Sequence, residues 1–262
     1  MKTIKLLSIA LLAFSFTISS CKKDPDEEPT PVTPAATSGS VTLHFENMVG
    51  DSALVLNTQN YVNANNDTFN VSKFNYYISN IKLTRSDNSV YTESESYHLL
   101  KANESGSLDI SLANVPFGSY TSIQFMIGVD SARNVSGAQT GALDPANGMF
   151  WSWSTGYIMA KLEGTSPQST GSGHMIMMHM GGFSGVNSVL RTVSPSFNTQ
   201  TANVSSTVVP EIHFKVDLLE MLQSPHTIDF SILNVIHMPG SDAKTVADNY
   251  ADMFSVEHIH ND

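Results

Sequence analysis

The chain contains 262 residues, with 24 acidic and 13 basic side chains and a formal net charge of −11 at pH 7. This acidic balance argues against nucleic acid as a partner and against electrostatic attachment to anionic lipid. The single cysteine, Cys21, excludes a disulfide framework and a thiolate cage, so any metal must be held by histidine, methionine, carboxylate, amide or backbone groups.

The N-terminus has the pattern of a bacterial lipoprotein signal. Lys2 and Lys5 precede an apolar run over residues 6–16, which is too short to span a bilayer, and small residues then lead into Cys21. We therefore predict a signal peptide over residues 1–20 and attachment to a membrane through a lipid on Cys21. An ordinary secretory signal is the alternative. The predicted location is the cell envelope, as an outer-membrane lipoprotein that faces the periplasm or the surface.

A tether and one folded domain follow the predicted anchor. Residues 21–39 are acidic, rich in proline and threonine, and have almost nothing to bury, which predicts a disordered segment. Residues 22–28 resemble the charged stretch of surface-exported lipoproteins of Bacteroidetes, although a solvated spacer explains them equally well. Residues 40–262 are predicted to form a single domain.

Period-two alternation of apolar residues predicts β-strands through most of this domain. Because turn signals rather than helices separate the strands, the predicted fold class is all-β, an antiparallel, Greek-key-like β-sandwich. The positions predicted to share one face are Val41, Leu43 and Phe45; Tyr77, Ser79, Ile81 and Leu83; Leu108, Ile110 and Leu112; Thr121, Ile123, Phe125, Ile127 and Val129; Ile212, Phe214, Val216 and Leu218; and Ile228, Phe230 and Ile232.

Two short helices are predicted near the C-terminus, at residues 217–222 and 242–254. The second has apolar residues at helical spacing, and Ser241 or Asp242 is expected to cap its start. The apolar residues of this face are Val246, Tyr250, Met253 and Phe254.

Two histidine-bearing segments are candidate metal ligands. His258 and His260 would project to the same side of an extended segment, a common ligand spacing, although two solvated histidines on a tail are an equal alternative. Residues 174–180 combine methionines with His174 and His179, and thioether and imidazole groups suit copper, especially Cu(I). Taken alone, this segment is more simply a methionine-rich core strand.

Other candidate residues carry weaker signals. His44 and His213 are interpreted as solvated strand positions. Trp151 and Trp153 would share one face of an extended loop that continues to Tyr157. Such aromatic groups can bind a sugar, line a pocket, act in redox chemistry or simply anchor the loop. The usual nucleophile, phosphate-loop, dinucleotide and zinc-protease motifs are absent from the sequence, so no enzymatic activity is predicted.

Several sequence blocks resemble the MbnP family. The most specific block is Trp-x-Trp at residues 151–153, continued by Gly-Tyr at 156–157 and Lys-Leu-Glu-Gly at 161–164. The supporting blocks are residues 74–83, 127–130, 141–145, 148–150, 179–182 and 216–218.

This resemblance implies an exported β-sandwich protein associated with copper, related to periplasmic partners of the copper chelator methanobactin. It also implies a dihaem, peroxidase-like partner that oxidises a tryptophan to kynurenine, for which this chain offers Trp151 or Trp153. The family pattern points to His179 as a metal ligand. His174 and Met177 are added from the methionine- and histidine-rich segment around it, and His258 and His260 from their spacing. We therefore expect a protein that binds or hands over Cu(I). One alternative is a surface carbohydrate-binding or adhesion module that uses Trp151 and Trp153. The other is an accessory partner of a dihaem, peroxidase-like protein.

Overall fold

Two β-sheets pack face to face in the computed structural model, which describes residues 36–137, 139–153 and 156–262. The predicted signal peptide, Cys21 and most of the tether lie outside the described residues, so these assignments remain predictions. In the part of the chain that is described, no helix has both the length and the apolar character needed to cross a membrane.

Sixteen strands are formed by the described residues. In chain order they are β1 Ser38–Val49, β2 Ser52–Ala53, β3 Tyr61–Val62, β4 Thr68–Arg85, β5 Val90–Thr92, β6 Tyr97–Lys101, β7 Asp109–Pro116, β8 Gly118–Ile127, β9 Phe150–Trp151, β10 Gly156–Thr165, β11 Met175–Gly181, β12 Arg191–Val193, β13 Ala202–Val204, β14 Glu211–Asp217, β15 Val235–Ile236 and β16 Phe254–His260.

The smaller sheet has the order β16-β14-β1-β2, with β7 also paired to β1. The larger sheet has the order β12-β8-β4-β10-β11-β15, and the remaining strands pair with β4, β8 or β10. Most pairs are antiparallel, but β1 with β14 and β11 with β15 are parallel. The predicted all-β sandwich is confirmed, with these two parallel pairs as an addition that strand alternation alone does not reveal.

Aromatic rings fill the space between the sheets. Phe45 and Phe214, from neighbouring strands of the smaller sheet, stack with ring centroids 4.7 Å apart. Phe125 of the larger sheet meets Phe214 edge to face at 5.9 Å and Phe254 at 5.2 Å. Because these rings occupy the inward positions of their strands, the residues between them must point outward.

In the described residues, three short α-helices accompany the strands: α1 Ser131–Asn134, α2 Glu220–Gln223 and α3 Ser241–Tyr250. The predicted helix over residues 242–254 is therefore shorter than expected, because Phe254 already begins β16. The predicted capping role of Ser241 or Asp242 is wrong, since Gly240 occupies the N-cap and no side chain caps the helix.

The strand predicted from Ile228, Phe230 and Ile232 does not form. Asp229 nucleates a turn instead, because its carboxylate accepts a hydrogen bond from the Ser231 backbone N–H at 2.8 Å. Phe230 is fully buried, whereas Ile232 is 82% exposed, so the two side chains do not share a face.

Candidate metal centre

A row of polar side chains crosses four strands on the outer face of the smaller sheet. His44 pairs in register with Asp109 on one side and with His213 on the other, and His213 pairs in turn with His258. In the adjacent row, Glu211 lies between Thr42 and His260. Neighbouring strands are about 4.8 Å apart, so side chains in such rows are within reach of one another.

The outward direction of His44 and His213 follows from the buried residues around them. Leu43 and Phe45 flank His44, and Ile212 and Phe214 flank His213, and all four flanking residues are fully buried. Period-two geometry therefore places both imidazoles on the opposite face of the sheet.

A β-bulge brings the C-terminal histidines to the same face. Val256 pairs with Phe214 and His258 pairs with His213, so Glu257 has no partner of its own in β14. In a regular strand His258, two residues after Val256, would share the buried face of Val256. The bulge instead turns His258 and His260 outward.

Three imidazoles converge at the edge of the row. One ligand atom from each of His213, His258 and His260 can be chosen so that all lie within 4.8 Å of one another. The rings of His213 and His258 stack with centroids 4.2 Å apart, and that of His260 lies 4.7 Å from His258. We call these three residues the three-histidine cluster.

His213 has a buried ring nitrogen without a hydrogen bond. Its Nε2 makes no hydrogen bond, although it lies 3.3 Å from Glu211 Oε1. Burial lowers the pKa of the imidazole, and the nearby His258 and His44 act in the same direction, while Glu211 opposes them. A neutral imidazole with a free ring nitrogen is the form that binds a metal ion.

A second group of possible ligands adjoins the cluster. His44, Asp109 and Glu211 each offer one ligand atom within 4.8 Å of the others. His44 Nδ1 lies 2.6 Å from Asp109 Oδ1, and the rings of His44 and His213 are 5.0 Å apart. We call His44, Asp109 and Glu211 the histidine–carboxylate cluster.

His179, which the family pattern selects, lies elsewhere. It belongs to β11 in the larger sheet, where Nε2 lies 2.8 Å from Glu163 Oε1. Burial lowers the pKa of His179, although the Glu163 hydrogen bond opposes the shift. The structure therefore places His179 with a carboxylate and does not bring it to His258 and His260, which occupy the other sheet.

The two other predicted ligands of this segment are also separate from the three-histidine cluster. His174 lies in a turn before β11, with Nδ1 3.0 Å from the Ser169 carbonyl oxygen. Met177 is half-buried on the same face of β11 as His179, while Met178 and Met180 are fully buried in the core. The inner face of this strand is thus the methionine-rich core that is the simpler interpretation of the sequence.

The aromatic loop has one buried and one exposed indole. Trp151 is 6% exposed and packs over Gly181, whereas Trp153 is 61% exposed, and their rings are 5.4 Å apart. Tyr157 is buried and donates a hydrogen bond to the Leu143 carbonyl at 2.7 Å. Lys161 donates to the Gly148 carbonyl at the start of the loop. Most of this segment therefore anchors the loop, and only Trp153 presents an indole to solvent.

His44 and His213 are the functional candidates that sequence reasoning missed. Each was interpreted as a solvated strand position, and their outward direction agrees with that interpretation. The missing information was the order of the strands, because β1 and β14 are separated by most of the chain yet pair directly. The sequence did contain one signal of the site, namely a histidine at an outward position in each of three strands.

Together the sandwich and its outward histidines define a β-rich protein with a candidate metal centre on one sheet. The MbnP family model matches residues 38–238, and the chain belongs to this family. Among solved structures, MbnP from Methylosinus trichosporium matches with a TM-score of 0.52 over 86% of this chain and 99% of that chain, at 12% identity. That likeness shows a shared fold. No curated protein sequence matches the chain.

The family match confirms the predicted resemblance. The matched residues include only part of the candidate metal centre. The matched span contains His44, Asp109, Glu211 and His213 but ends before β16. The two histidines of β16 therefore lie beyond the matched residues.

Proposed function

We propose that this protein binds one copper ion through His213, His258 and His260. The observation that carries the proposal is the convergence of three imidazoles, one with a buried Nε2 that makes no hydrogen bond. Imidazole nitrogens suit copper, zinc, iron and nickel, so the residues alone do not select the metal. The copper association of the MbnP family supports copper among these.

Cu(I) is the oxidation state that we expect in the three-histidine cluster. Three neutral imidazoles contribute no negative charge, so the cost of holding a monovalent ion at this partly buried position is lower than that of a divalent one. Because Met177 and His179 lie on the other sheet, the proposed ligand set is histidine alone rather than the histidine and methionine set expected from the sequence.

The test is a Cu(I) titration of the purified protein against a chromogenic Cu(I) chelator, without oxygen. Wild-type protein should retain one copper, and His258→Ala together with His260→Ala should abolish retention. Single variants should bind at least about tenfold more weakly, because even changes outside the ligand shell cost 10–100-fold in metal affinity.

His237→Ala is the matched control, since His237 is an exposed histidine outside the cluster. The proposal fails if the His258/His260 double variant still retains one copper. It fails equally if His179→Ala removes the copper while the double variant keeps it, because the site would then lie on β11.

We further propose that the protein works in the cell envelope, attached through Cys21, and that it binds or delivers copper without catalysing a reaction. The support is the leader pattern before Cys21 and the charged tether after it. Expression in a bacterial host with radiolabelled palmitate should label the wild-type protein in the membrane fraction. The Cys21→Ser variant should lose both the label and the membrane association, and persistent membrane association would contradict the anchor.

A second candidate function is docking of a partner protein at Trp153, favoured by the exposure of this indole above the buried Trp151. The family resemblance suggests a dihaem, peroxidase-like protein as the partner. Co-purification of such a protein with the wild type, lost in Trp153→Ala, would support this proposal. Loss of glycan binding in Trp153→Ala, with no protein partner, would instead support the carbohydrate alternative.

A further inference from the structure

The histidine–carboxylate cluster of His44, Asp109 and Glu211 differs chemically from the three-histidine cluster beside it. Asp109, His44 and Glu211 come from the three adjacent strands β7, β1 and β14, and their ligand atoms lie within 4.8 Å of one another. Two carboxylates and one imidazole form a harder, more negative set of donors than three imidazoles. Such donors suit divalent ions, whose two charges the carboxylates balance.

Few positive charges compete for these carboxylates. Lys215 is the lysine on the same face of β14, and its Nζ lies 3.4 Å from Asp217 Oδ2 and 3.6 Å from Asp51 Oδ1. Among the described residues, the basic partner of Asp109 is His44 and that of Glu211 is His213, both of them imidazoles rather than lysine or arginine. The group therefore keeps negative charge that a cation can neutralise.

The spacing of the donors is close to that of a metal site. In a tetrahedral zinc site with bonds of about 2.0–2.1 Å, neighbouring ligand atoms are about 3.3 Å apart. His44 Nδ1 and Asp109 Oδ1 are 2.6 Å apart, and one donor atom from each residue lies within 4.8 Å of the others, so small side-chain rotations suffice to reach this separation. Asp109 is exposed, so its side chain has room to rotate when a metal ion replaces its contact with His44.

The two groups lie side by side on the sheet and share no ligand. His213 stands between His44 and His258, so His44 does not share the ligand positions of the C-terminal histidines. The groups meet through Glu211 and His213, whose Oε1 and Nε2 are 3.3 Å apart, and through the His44 and His213 rings, whose centroids are 5.0 Å apart. Two ions can therefore occupy adjacent positions on one sheet face.

We propose that His44, Asp109 and Glu211 form a second metal site, for a divalent cation, next to the three-histidine cluster. This assigns a second ion of different charge to the same face of the sheet. It goes beyond the proposed copper function and stands if that function fails, because the two sites share no ligand.

The experiment uses native mass spectrometry of the purified protein, loaded first with Cu(I) without oxygen and then with Zn(II). The wild type should carry one copper and one zinc. Asp109→Asn together with Glu211→Gln should lose the zinc and keep the copper, and His44→Gln should also lose it. The His258→Ala/His260→Ala variant should lose the copper and keep one zinc.

Glu46→Gln is the matched control, because Glu46 is an exposed carboxylate on the same face of β1, outside the group. Thermal melting checks that each variant is folded. The second site is refuted if the Asp109/Glu211 variant still binds zinc beside copper, or if zinc enters only when copper is absent. A protein that binds zinc in this way but no Cu(I) would refute the copper proposal alone.

Discussion

The pairing of His179 with Glu163 makes the stability of the fold depend on pH, although His179 is only half-buried. Burial lowers the pKa of His179. Although burial raises the pKa of Glu163, hydrogen bonds from His179 and Lys73 lower it overall. Both groups therefore bind fewer protons in the folded state than in the unfolded chain, and acidification must destabilise the fold through each of them.

We predict that the His179 contribution is fully present above the ordinary histidine pKa of about 6.5 and is lost as the pH falls below it, toward the lowered pKa of the folded state. His179→Gln should flatten the fall in melting temperature between neutral and mildly acidic pH. Exposed His237→Gln should leave the profile unchanged. Identical profiles for wild type and His179→Gln would contradict this account.

Gly181 fixes the position of the buried indole in the aromatic loop. A Cβ at this position would overlap the Trp151 ring, with Cη2 only 2.6 Å away. We predict that Gly181→Ala displaces Trp151 and costs about 1–3 kcal/mol of unfolding free energy, the usual cost of overpacking. Red-shifted tryptophan emission and a lower melting temperature would show this.

The control for this change is Gly106→Ala, where an added Cβ would meet nothing within 4 Å. It should alter neither the emission nor the stability by more than about 0.5 kcal/mol. A Gly181→Ala protein with wild-type emission would mean that the loop does not depend on this contact.

At the scale of elements, the bulge in β16 decides which face the C-terminal histidines occupy. Deleting Glu257 would remove the bulge, but His258 would still follow Val256 at an outward position opposite His213. Inserting one residue between Glu257 and His258 would shift both histidines relative to β14.

We predict that the Glu257 deletion retains the copper of the proposed site, whereas a one-alanine insertion after Glu257 weakens binding at least about tenfold, because it separates His258 and His260 from His213. The Cu(I) chelator titration measures both. Equal copper affinity in the deletion and the insertion would show that the register of β16 is irrelevant to the site.

Much of the strand content could be predicted, since the alternation of Val41, Leu43 and Phe45 fixes both the strand and its buried face. The candidate site could be predicted only in part. His258 and His260 were visible from their spacing, but the bulge that turns them outward leaves no local pattern. Their meeting with His213 and His44 depends on long-range pairing between strands, which residue periodicity does not encode.

At the scale of the whole molecule, aromatic packing between the two sheets supports the strands that carry the proposed metal sites. Phe125 from the larger sheet is fully buried against Phe45, Phe214 and Phe254 of the smaller sheet. Phe45 and Phe214 are the neighbours of His44 and His213 in sequence. The inner packing therefore supports the strands that carry both proposed metal sites on their outer face.

We predict that Phe125→Ala costs about 3–5 kcal/mol of unfolding free energy, because it leaves a cavity where both sheets meet. Val90→Ala is the control, since Val90 is 55% exposed and should cost less than about 0.5 kcal/mol. Urea unfolding measures both. If Phe125→Ala stays folded, its copper affinity should also fall, since the register of β1, β14 and β16 holds the histidines together. Unchanged stability would show that the two sheets do not depend on this ring for their packing.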